Sequence, residues 1–108
     1  MYVIFILFMY IYEVNLTIQK SIHAEFEQWL EQHIKDMLAL PVFSSAQWYL
    51  DKSNGSSSEI LWVIHYQLVD KQAYNLYLSE YAQKMRAEGI EKFTQEFTIN
   101  RRYLVLKK

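Results

Sequence analysis

The apolar residues of this chain switch between a two-residue and a helical repeat in an order that leaves few folds open. Tyr10 to Ile18 alternate, Ile22 to Leu38 repeat at helical spacing, and Val42 to Leu50 alternate again. Asn54-Gly55 marks a hairpin turn, Ile60 to Leu68 alternate, Ala73 to Met85 are helical in pattern, and Phe97 to Leu106 read as a last strand. Alternation sends successive side chains to opposite sheet faces, whereas the longer repeat builds one apolar helix stripe. The order predicts a βαββαβ unit: the ferredoxin-like plan, α+β, with two helices on one face of a four-stranded antiparallel sheet. That plan leaves the other sheet face to be covered by a partner or used as a binding surface.

A chain of 108 residues, 52% of them hydrophobic, is expected to be one domain with a real core. Nine tyrosines and three tryptophans exceed what a two-layer core of this size needs. They suit a second buried surface, either a homodimer interface or an apolar cleft for a small apolar or aromatic ligand. A net charge of −1 gives no field that would steer the protein to nucleic acid. Arg101, Arg102, Lys107 and Lys108 read as solubilising charges on an edge strand. With no cysteine there is neither a disulfide framework nor a thiolate, which fits a cytoplasmic location. Met1 to Tyr12 carry no charge, yet the run is shorter than the about 20 residues of a membrane span. No membrane association is therefore expected, with attachment through Met1 to Phe8 left open only for the case in which those residues are translated in the cell. Either the first strand is long, or Met9 is the natural start and residues 1–8 are an apolar N-terminal extension to a domain at 9–108. The clean alternation opening at Met9 favours the second reading.

Within the elements, Tyr10, Tyr12, Val14, Leu16 and Ile18 share one face of strand one. Helix one takes Ser21 as its N-cap and buries Ile22, Phe26, Trp29, Leu30, Ile34, Met37 and Leu38 before Pro41 ends it. Strand two alternates less cleanly. In strand three, Trp62, Ile64, Tyr66 and Leu68 share a face. Asp70 caps helix two, whose buried stripe is Ala73, Tyr74, Tyr77, Tyr81 and Met85. Gly89 is placed as the residue that ends that helix, and Ile90 to Phe93 as a short turn.

If strands one and three are central neighbours, the open face carries Glu13, Asn15 and Thr17 beside Val63, His65 and Gln67. Glu13 and His65 are the sharpest pair there. They suit a general acid–base couple, and equally a hydrogen-bonded pair at a dimer interface or two solvated side chains. Asn15 and Gln67 suit the binding of a ligand carbonyl, or cross-strand amide pairing. Arg101 and Arg102 must point to opposite faces, so one of them can bind a carboxylate on the open face, with Glu13 the expected partner. His33 lies on the stripe between Trp29 and Met37 and reads as a core or helix-edge histidine bonded to a backbone carbonyl; His23 reads as surface. No metal site is expected from three isolated histidines, and no cofactor from a chain without a Gly-rich phosphate loop or nucleophile elbow.

Several stretches resemble a small bacterial family of uncharacterised proteins: Tyr12-Glu13-Val14-Asn15-Leu16, the run Trp29 to Phe43, Met85-Arg86-Ala87-Glu88-Gly89 and the pair Arg101-Arg102. The resemblance covers Met9 to about Leu106, and the helix-one run is its most specific part. One departure is Val42, where the family pattern has a glycine after the proline. The resemblance implies a ferredoxin-like fold similar to the dimeric α+β barrel superfamily, whose members pair open sheet faces around small cavities. Distant members include cofactor-independent monooxygenases, haem-degrading enzymes and muconolactone-isomerase-like proteins, but their catalytic motifs do not align here and no catalytic residue carries over. Two functions follow as expectations. One is a homodimeric small-ligand-binding or structural module. The alternative is a cofactor-independent monooxygenase- or isomerase-like enzyme with a cavity on the open sheet face, using Glu13, His65, Asn15 and an arginine.

Overall fold

The computed structural model describes residues 9–53, 56, 58–94 and 96–108, so the extension at 1–8 and the Asn54-Gly55 turn lie outside the described residues. Its elements are β1 (Tyr10–Gln19), a 3-10 turn (Lys20–Ile22), α1 (His23–Leu38), β2 (Phe43–Leu50), β3 (Glu59–Leu68), α2 (Ala73–Glu80), α3 (Ala82–Phe93) and β4 (Phe97–Val105). The strands lie in the order β2-β3-β1-β4, each antiparallel to its neighbours. This is the ferredoxin-like fold that the alternation predicts.

Alternation in the two central strands sorts the faces. Tyr12, Val14, Leu16 and Ile18 of β1 and Trp62, Ile64, Tyr66 and Leu68 of β3 are buried beneath the helices. Phe26, Leu30 and Met37 of α1, Tyr77 of α2, and Met85 and Phe93 of α3 complete the core. Much of the filling is aromatic. The Phe26 ring lies 4.6 Å from Phe93, and Tyr12 lies 5.1 Å from Tyr77, both tilted as ring quadrupoles prefer.

Four local expectations are corrected. Ser21 does not cap α1; the chain enters through the 3-10 turn, held by a bond from Lys20 N–H to the Ser58 carbonyl at 2.9 Å. The irregular alternation of β2 has a cause in a bulge at Ser44, between the Phe43–Leu68 and Ser45–Gln67 pairs. Helix two is two helices, broken at Tyr81 (φ −126°, ψ −30°), just after the Ser79 hydroxyl bonds back to the Leu76 carbonyl. Lastly, Gly89 does not end a helix: α3 runs on to Phe93, absorbing the expected turn. Gly89 is buried inside α3 because the Trp29 indole lies against it. A Cβ at position 89 would sit 2.9 Å from Trp29 Cη2, so only glycine lets α3 approach α1 this closely. Asp70 does cap α2, its Oδ1 accepting the Ala73 N–H at 2.9 Å.

Candidate functional site

On the open face, register decides which side chains meet. Glu13 stands directly opposite His65 on β3 and opposite Arg102 on β4. Its Oε1 accepts the Arg102 Nε–H at 2.6 Å and the Asn15 Nδ2–H at 2.7 Å, and its Oε2 lies 2.8 Å from His65 Nε2. Three of its neighbours thus cover the carboxylate, and Glu13 is only 4% exposed although it lies on the sheet face away from the described helices. The Arg102 guanidinium, aided by the Asn15 and His65 hydrogen bonds and against the effect of burial, holds the Glu13 carboxyl down at about 2. At neutral pH it is a fixed anion that ties β3, β1 and β4 together.

Not every expected site residue joins this cluster. Gln67 lies farther along β3, where its Oε1 accepts the Ser45 hydroxyl at 3.3 Å. Arg101 points the other way, into the space between sheet and helices. Of the two arginines, Arg102 is therefore the partner of Glu13.

That space contains a cavity of about 50 Å³, room for roughly three or four waters. Tyr12, Tyr77, Trp29, Met37 and Met85 help form its wall, Gly89 lies where α3 meets α1, and exposed Ile90 stands at its rim. Into this mainly apolar wall come Arg86 from α3, Arg101 from β4 and His33 from α1. Arg86 Nη2 donates to the Tyr12 hydroxyl at 3.2 Å, while its Nε is buried with no hydrogen-bond partner among the described residues. Burial raises the Tyr66 and Tyr77 phenols, and the positive charges of Arg86 and Arg101 only partly offset this at Tyr77. Both phenols stay neutral, and Tyr77 O–H points to Met37 Sδ at 3.7 Å.

His33 is not bonded to a backbone carbonyl as expected. It stacks on Trp29 (4.6 Å between centroids, 19° between planes), and its buried Nδ1 has no hydrogen-bond partner among the described residues. Glu88 Oε2 is 3.6 Å away, too far for a hydrogen bond. Burial lowers the His33 pKa, and the Glu88 charge opposes that only in part. His23 is a surface residue, 4.0 Å from Glu27. No group of three or more His, Cys, Asp or Glu able to hold a metal occurs among the described residues.

The sequence reading missed Arg86 and Tyr12 as site residues and the inward turn of Arg101. A usable signal was present: once α3 is continued through Gly89, Met85 and Arg86 each neighbour Gly89 on the helix surface, at i,i+4 and i,i+3.

Sheet order and helix placement define a ferredoxin-like α+β domain. The chain belongs to the DUF4286 family, a domain of unknown function, whose pattern matches residues 9–107. No curated protein matches it in sequence. Among solved structures it is similar to a dimeric ferredoxin-like protein from an uncultured marine organism (TM-score 0.68, 7% identity, over 93% of this chain and 97% of that one). It is also similar to SnoaB, a cofactor-independent oxygenase from Streptomyces nogalater (TM-score 0.63, 15% identity, 93% and 95% covered). A third similar structure is the de novo designed protein Foldit4 (TM-score 0.57, 12% identity, 93% and 99% covered). An oxygenase and a designed protein share this topology, so the likeness establishes fold and not activity. No helix among the described residues is long and apolar enough to cross a membrane.

Proposed function

We propose that the chain is a homodimeric small-ligand-binding module, with the ligand seated between the sheet and helices α1 and α3. The observation that carries this reading is the cavity itself: a mainly apolar and aromatic wall into which a few polar groups converge, the usual make-up of a small-molecule site. Pairing through the open face is supported by half-buried Ile11, Leu61, Val63 and Leu104, which surround a polar cluster that is already internally bonded. Such a face is costly to leave in water and cheap to cover, because Glu13 needs no new partner. The likeness to a dimeric ferredoxin-like protein supports a homodimer. A cysteine-free chain suits a cytoplasmic location.

Native mass spectrometry of protein taken directly from cells tests both halves of this reading. The expected result is a dimer, part of it carrying a small extra mass that harsher activation removes. A monomer would overturn the pairing, and a dimer that no small apolar compound ever loads would overturn the ligand.

A second reading is kept by one observation, the direct hydrogen bond between Glu13 and half-buried His65 on the face a second copy would enclose. In a cofactor-independent monooxygenase- or isomerase-like enzyme that couple would move a proton, with Asn15, Gln67 and Arg102 around it. Turnover of an aromatic substrate that is abolished in His65→Ala and Glu13→Gln supports this reading. Turnover unchanged in both variants removes it.

A further inference from the structure

The cavity wall is unbalanced in charge. Two guanidiniums, Arg86 and Arg101, reach it, and no Asp or Glu lies among its lining residues. Neither arginine has a carboxylate within salt-bridge distance among the described residues; the arginine that does is Arg102, on the far side of the sheet. The protein gives Arg86 one neutral partner, the Tyr12 hydroxyl, and leaves its Nε–H buried and unpaired. Arg86 as a whole is only half-buried, but its Nε–H is out of reach of solvent, and a buried donor without an acceptor is costly and rare in native structures.

The neighbouring groups do not relieve it. The Tyr77 hydroxyl lies within electrostatic reach of both arginines but donates to Met37 Sδ, and its phenol stays neutral. The His33 ring adds no negative charge. Glu88, the closest acid to that ring, is directed at His33 Nδ1 and does not line the cavity. What the wall offers is therefore a cationic end, made by Arg86 and Arg101, and an apolar body, made by Leu16, Phe26, Trp29, Ile64 and Met85.

We propose that the cavity between the sheet and α1/α3 binds a small amphipathic carboxylate, its head on the Arg86 Nε–H beside Arg101 and its short apolar tail among Phe26, Trp29 and Met85. This rests on the ligand-binding reading of the cavity and specifies the class of ligand. Guanidinium and carboxylate match in geometry, and a charge-assisted bond is roughly twice as strong as a neutral one. The limited volume admits a tail of only one or two carbons. The mainly apolar wall favours a singly charged head that carries a tail over a doubly charged phosphate, which costs more to strip of water.

The test compares acetate, whose four heavy atoms match a cavity of about 50 Å³, with the isosteric neutral acetamide and with inorganic phosphate. Each is titrated into the full chain and its variants while the Met37 and Met85 methyl signals are followed by NMR, with the Arg86 Nε–H resonance followed as well in the unaltered chain. The expected result is a saturable shift of these signals with acetate, at a concentration about tenfold lower than any effect of acetamide, and a downfield shift of the Arg86 Nε–H. Arg86→Gln should abolish the preference for the carboxylate, and Arg86→Lys should keep part of it. The surface substitution Lys84→Gln should leave binding unchanged. If Arg86→Gln does not fold, the carboxylate–amide comparison on the unaltered chain still decides. Equal binding of acid and amide overturns the anion proposal while sparing the ligand-binding reading. Tighter binding of phosphate overturns the carboxylate class, and no response to any of the three overturns the proposal at this cavity.

Discussion

Arg102 donates its Nε–H to the buried Glu13 carboxylate at 2.6 Å, from the position directly opposite it across the β1–β4 ladder. His65 meets the same carboxylate from β3, so one anion links three of the four strands. Arg102 itself is 60% exposed, which makes Glu13 the member with most to lose. Removing its partners would leave a buried carboxylate short of donors, whereas removing the carboxylate returns Arg102 to water.

Acid should therefore weaken the fold through Glu13. Its folded pKa of about 2 lies below its ordinary 4.5, so its contribution is fully present above pH 4.5. That contribution is lost as pH falls from 4.5 through 2, where the folded protein must also take up the proton. Urea unfolding across this range should show the loss, and Glu13→Gln should flatten it while costing about 1–3 kcal/mol at pH 7. An unchanged pH slope in Glu13→Gln would remove the clamp from the account.

His33 gives a second, separate window. Burial depresses its folded pKa below the ordinary 6.5, so the unfolded chain takes up the proton first. Stability should fall as pH drops below 6.5, and His33→Phe, which keeps the stacking on Trp29, should remove that part of the fall. An NMR titration that finds His33 protonated above pH 6.5 would contradict the buried, neutral ring.

The contact between Gly89 and Trp29 predicts a paired effect. Alanine at position 89 gains about 1 kcal/mol of helix propensity, but overpacking costs about 1–3 kcal/mol. The indole cannot easily retreat, being stacked on His33 at 4.6 Å and set against Phe26 at 5.5 Å. Gly89→Ala should thus destabilise on balance, and adding Trp29→Phe should recover much of the loss in a double-mutant cycle. Additive effects would mean that the two residues do not meet.

Pairing through the open face can be tested without touching the clamp. Val63→Lys puts a charge at the centre of that face, on β3 opposite Asn15. Sedimentation should show a dimer becoming a monomer, with the unfolding temperature of the dilute protein little changed. A dimer that survives Val63→Lys would have to use another surface.

The fold was legible because β1 and β3 alternate strictly, and alternation also carries register: it placed Glu13 beside His65 before any geometry was known. The bulge at Ser44 was visible only as a disturbance, since one unpaired residue shifts phase without leaving a composition signal. Gly89 misled for a definite reason. Glycine near the end of an apolar stripe reads as a helix stop, but here tertiary contact with Trp29 selects it. The cavity was hidden because Tyr12 and Arg86, 74 positions apart, meet only when α3 lies across β1. Arg101 and Arg102 show the limit most simply: sequence assigns them to opposite faces, but only the structure says which face holds which.

The four methionines offer the most direct measurement. Met37 and Met85 line the cavity and Met9 does not, so a methionine-methyl spectrum carries its own control. Titrating small apolar carboxylates and their neutral isosteres should move the Met37 and Met85 signals together and saturably, leaving the Met9 signal in place. Ligand-dependent shifts on open-face residues such as Val63, with Met37 and Met85 unmoved, would contradict a binding site between the sheet and the helices.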